Sequence, residues 1–118
     1  MFQDIHFQTT GVFSSGAATT SYMVVPYNCV LRDAKAIVDG DPGDGETISL
    51  LNDSKTIGKV TFGSGITAGA MGTYAPDETN GELTLMANSS LSIVTSDAAA
   101  ANFHLDVELD PECIVPEP

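Results

Sequence analysis

Residues 21–51, SYMVVPYNCVLRDAKAIVDGDPGDGETISLL, restrict this chain to short extended segments. An apolar run stops at Pro26, whose ring removes the amide that strand pairing needs. A longer alternating run follows, then a turn dense in Gly and Asp, then another apolar run. Short apolar runs separated by turn residues predict an antiparallel β-sandwich.

Across the chain the same reading gives eight or nine strands and almost no helix. Residues 2–8 alternate, with Ile5 and Phe7 on one face, while 9–20 (TTGVFSSGAATT) read as a connecting arm. Tyr22 to Val25 is apolar on both faces, as a central strand would be. From Cys29 to Asp39, Leu31 and Ile37 share one parity, and Val30, Ala34, Ala36 and Val38 share the other. Asp39 to Gly45 is a turn, and 46–51 and 56–62 make a hairpin with Val60 and Phe62 on one face. Residues 63–80 form a long glycine-rich crossover, anchored by Ile66, Met71 and Tyr74. Strands at 82–87, with Leu83 and Leu85 inward, and 91–95 form a second hairpin, and 96–101 offer one helical turn. Residues 102–109 alternate most cleanly, with Phe103, Leu105, Val107 and Leu109 inward. The expected architecture is all-β: a single antiparallel β-sandwich domain over residues 1–118, jelly-roll or Greek-key. Its extended arms are 1–20 and 110–118.

A chain of 118 residues buries roughly 65% of its unfolded surface, enough for one core without staples. Trp is absent and aromatics are few, so Val, Ile, Leu, Ala and Met must fill that core. Sixteen carboxylates face four cations (Arg32, Lys35, Lys55 and Lys59), for a net charge of −12. Binding to nucleic acid requires cations to displace phosphate counterions, so the balance argues against it. The same charge disfavours anionic membrane surfaces. No run approaches the ~18 apolar residues of a membrane span. The opening MFQDIHFQTT lacks the basic end and apolar stretch of a secretion signal, so synthesis and use in a cytoplasm, or release by lysis, are expected. In that reducing setting Cys29 and Cys113 are expected as thiols; pairing would require the carboxyl-terminal tail to lie beside the Cys29 strand.

Catalytic apparatus is not visible. His6 and His104 occupy outward positions of alternating strands with no ligand at metal spacing. No nucleophile elbow or phosphate-cradling glycine pattern occurs. Asp39, Asp41, Asp44 and Glu46 are the best metal candidates, since four carboxylates within eight residues offer hard oxygens to Ca²⁺. The helix-loop-helix calcium pattern fails there, and Asp and Gly suit tight turns on conformational grounds alone. No other cofactor is expected. Tyr22, Tyr27 and Tyr74 are the candidate stacking platforms if the chain binds sugar.

Residues 22–51, followed by TIGKVTFGSGIT, resemble the small β-sandwich decoration, or cement, proteins on the heads of tailed bacteriophages. The shared elements are a strand ending Val24-Val25-Pro26, a long strand with small and basic residues, a Gly/Asp turn and a Thr/Ile hairpin. The likeness spans roughly residues 20–70; the Asp-rich turn and the acidic Pro-containing tail depart from it. The resemblance implies a non-enzymatic virion protein, made in the host cytoplasm and bound to the capsid exterior. Its partners would be the major capsid protein and further copies of itself, as a dimer or trimer. Candidate contacts on the amino-terminal side are Phe2, Ile5, Phe7, Arg32 and Lys35. Tyr74, Ile114 and Val115 complete the set. A tail or baseplate role and a carbohydrate-binding module are the alternatives.

Overall fold

The computed structural model describes residues 5–14, 18–25, 27–52, 55–77, 84–96 and 101–111. Pro26, Leu83, residues 97–100 and the tail from 112 lie outside them, and with these the expected helical turn. The described residues form nine strands: β1 (Ile5–Phe13), β2 (Thr20–Val24), β3 (Cys29–Val38), β4 (Thr47–Asn52), β5 (Lys55–Thr61), β6 (Thr73–Pro76), β7 (Thr84–Leu85), β8 (Ser90–Thr95) and β9 (Ala101–Asp110). Two antiparallel sheets, ordered β1-β9-β3-β7 and β2-β8-β4-β5-β6, pack face to face as an all-β sandwich. The pairings nest about the β4–β5 hairpin: β3 with β7, β2 with β8 and β1 with β9.

Alternation drives the packing. Phe103, Leu105, Val107 and Leu109 of β9 are buried and meet Ile48, Leu50, Val60, Leu91 and Ile93 in one core. Each fully buried side chain of this kind contributes roughly 1.5–3 kcal/mol of transfer free energy. Phe13 sits edge-on between Phe62 and Phe103, with ring centroids 5.9 and 5.5 Å away, the arrangement that aromatic quadrupoles prefer.

Five expectations are corrected. Thr9 to Phe13 are not an arm but the second half of β1, held along its length by β9. Burial of Phe13 outweighs the weak strand propensity of Gly11, and Thr9, Thr10 and Val12 favour extended backbone in their own right. Tyr22–Val24 is an edge strand rather than a central one; Tyr22 is 71% exposed.

In β3 the register shifts between Leu31 and Asp33, leaving Arg32 as an extra residue. Such a bulge flips side-chain parity. Leu31 therefore faces the core together with Ala34, Ala36 and Val38, and Ile37 turns outward.

The long crossover contains β6. Before it, Ala70 accepts from the Val38 amide at 3.1 Å, and Gly69 and Gly72 donate to Val38 and Ala36. This segment ties the β3 edge of one sheet to the β6 edge of the other. Finally, β7 and β8 are not a hairpin. They belong to different sheets, joined through a corner where Asn88 adopts φ 68°.

Candidate partner-binding surface

The outward side chains of β1, β9 and β3 form rows across the four-stranded sheet. Thr10, His104, Ile37 and Met71 make one row; Gln8, Asp106 and Lys35 the next; His6, Glu108 and Asp33 the last. The first row is apolar at one end: Ile37 is 41% exposed and Met71 55%. With Val12 beside it, this end of the sheet is a shallow trough of about 710 Å³. His104 and Asn102 lie on its floor, and Ala68 and Gly69 of the crossover wall it opposite Thr10 and Val12.

The trough has a rigid rim. The Asn102 amide donates to Asp39 Oδ1 and its side-chain nitrogen to Oδ2, both at 2.8 Å. These donors, the backbone one foremost, hold the Asp39 carboxyl below its usual range despite some desolvation. At the opposite end His6 Nδ1 stands 3.0 Å from Asp106 Oδ2. There, too, Arg32 Nε donates to Asp110 Oδ2 at 2.8 Å.

Three of the four carboxylates of the Gly/Asp turn are drawn to different partners. Asp39 serves Asn102, Asp41 accepts from the Gly43 amide at 2.9 Å, and Glu46 accepts from the Ser96 hydroxyl at 2.6 Å. Gly43 and Gly45 adopt positive φ, so glycine here answers the turn's geometry. Among the described residues no group of three or more His, Cys, Asp or Glu is placed to hold a metal ion. The reading of this stretch as a turn accounts for Asp39, Asp41 and Glu46, whose carboxylates accept hydrogen bonds within the turn and from the strands beside it.

Other candidates are scattered. Phe7 packs partly buried against the core, and so does Tyr74. Tyr74 lies over Gly58, where an added Cβ would come within 2.7 Å of its ring. That contact explains the glycine in a strand and makes Tyr74 a packing residue rather than an open platform. Tyr27 also packs on the core; burial raises its hydroxyl pKa, with the neighbouring Cys29 adding to the shift. Of the three tyrosines, Tyr22 is the one whose ring stands open to solvent. Lys35 and Arg32 are exposed on β3. Phe2, Ile114, Val115 and Cys113 lie outside the described residues, as does the Ile5 side chain. Cys29 itself is buried.

Sequence reasoning missed the trough because Ile37 reaches it through the bulge at Arg32, which no residue pattern announces. Against this geometry, no protein-family model matches the chain, and no curated protein matches it.

Proposed function

We propose that this protein is a structural virion component that binds the outside of a phage capsid and stabilises contacts between major capsid proteins. The observation that carries the reading is the trough on an otherwise polar sheet face, lined by the exposed Val12 and Ile37, with the exposed Met71 paired beside Ile37. Exposed apolar groups clustered inside an acidic surface mark a place where another protein is received. We read the nested strand pairing as a jelly-roll wrap with β6 added at one edge, in keeping with the resemblance in residues 20–70. A clamp of this type adds buried area that must be lost before the shell opens under packed DNA.

The test is to count copies of this protein per major capsid protein in purified particles. A ratio near one, or a simple fraction of it, supports a place on the head lattice. A few copies per particle would move the protein to tail or baseplate, and its absence would overturn the virion role. A carbohydrate-binding role draws on one observation, the open Tyr22 ring flanked in register by Ser92; saturable glycan binding lost in Tyr22→Ala would favour it.

A further inference from the structure

β1 ends one edge of its sheet, and ladder geometry defines which of its backbone groups face outward. The Asn102 carbonyl accepts from the Asp39 amide at 3.0 Å, so even-numbered residues of β9 bond toward β3. Antiparallel ladders alternate, so Phe103, Leu105 and Val107 bond toward β1, where they face Gly11, Thr9 and Phe7. The backbone amides and carbonyls of His6, Gln8 and Thr10 therefore point away from β9. The Val12 carbonyl, next in that row, accepts from the Thr19 hydroxyl at 3.1 Å and closes one end of it. The Thr10 carbonyl has a long 3.4 Å contact from the Thr9 hydroxyl, which leaves a lone pair available.

This edge differs from the edges opposite. β7 has two residues and β6 has four, ending in Pro76. Short length and proline are how sheets blunt their edges, and charged side chains are another. β1 has nine residues, no Pro, and no Asp, Glu, Lys or Arg. The same absence of charge runs through residues 5–31, which include β2 on the same flank, in a chain of net charge −12.

We propose that a second copy of this chain docks antiparallel on β1, joining two four-stranded sheets across a two-fold axis at Gln8. Gln8 then faces Gln8 of the second copy, and His6 faces its Thr10. A like-charged body can approach this acidic protein where charge is missing, whereas a basic partner would gain nothing from a neutral edge. Among the described residues the nearest carboxylates, Asp106 and Glu108, lie one strand in on β9. In the joined sheet the two β9 strands stand three strand spacings apart, roughly 14 Å. That exceeds the ~8 Å screening length of physiological salt, so repulsion does not forbid the pairing. Docking would also cover Phe7, which is left partly exposed at this edge. A strand edge alone covers less than the ~1,200 Å² of a durable interface, so association should depend on concentration.

The test combines sedimentation of the full chain over a concentration series with amide exchange read residue by residue. Dimer mass rising with concentration, with the Gln8 and Thr10 amides slowing by roughly tenfold or more alongside it, supports the proposal. Gln8→Pro removes an outward amide and no bond to β9, so it should abolish the dimer while leaving cooperative melting. Monomer mass throughout, or a dimer in which those amides still exchange freely, overturns it. The exchange measurement uses the unaltered protein and decides the matter even if Gln8→Pro folds poorly.

Discussion

Arg32 reaches back across the sheet to Asp110, and its Nε and a terminal nitrogen both donate to Oδ2 of that carboxylate. Arg32 is the extra residue of the β3 bulge, and Asp110 is the last residue of β9, 5% exposed. The pair fixes the bulge at the point where side-chain parity reverses. Arg32→Ala should destabilise the fold by about 1–2 kcal/mol, the range for a poorly satisfied acceptor reduced by the exposure of the arginine. Chemical denaturation measures it. A loss near zero would mean that the bulge holds without the pair.

That bulge also sets how much of the fold was legible. The period-two pattern of 102–109 named the inward face of β9 correctly, since the extra residue of the β3–β9 ladder lies on β3 and β9 itself carries no insertion. The same logic placed Leu31 and Ile37 on one face, and one inserted residue separated them. Phe13 escaped notice because TTGVFSS has turn composition, while its burial depends on Phe62 and Phe103 far away in sequence. Tyr22 and Val24 look like core residues by hydropathy, but position at a sheet edge is set by topology. The trough depends on the first of these facts, because the bulge turns Ile37 outward into it, which is why its apolar margin was not predicted.

Gly11 faces Phe103 so closely that an added Cβ would lie 2.4 Å from the ring. The ring is buried beside Phe13 and has little room to yield. Gly11→Ala should therefore cost about 1–3 kcal/mol, as overpacking does, despite the better strand entropy of alanine. Thermal melting against wild type checks it. An unchanged or raised melting temperature would show that the β1 edge can shift away from β9.

Asp39 titrates below its usual range because the folded state supplies the donors of Asn102. A carboxylate depressed by folding contributes stability that is fully present above its unfolded pKa. That contribution is lost as pH falls through the lower folded value. Asp39→Asn should accordingly be less stable than wild type near neutrality and converge with it in acid, below the ordinary aspartate pKa of 3.8. A difference in stability that stays constant across that acid range would assign the effect to packing instead.

Ile37→Asp tests the trough itself. The side chain is 41% exposed on an outward row beside His104 and Met71, so a polar replacement leaves the core intact. Substitutions at such positions shift stability by about 0.5 kcal/mol or less. A carboxylate there would place an unpaired charge against any apolar group entering the trough, which costs far more when water is excluded. On the proposed capsid role, attachment to capsids lacking this protein should fall at least about tenfold, equivalent to 1.4 kcal/mol, while the melting curve is preserved. Lys59→Gln, an exposed position of the other sheet that shifts net charge by the same one unit, serves as a charge control and should attach better than Ile37→Asp. Equal loss in both variants would mean that overall charge governs attachment, and equal retention would remove the trough from the contact.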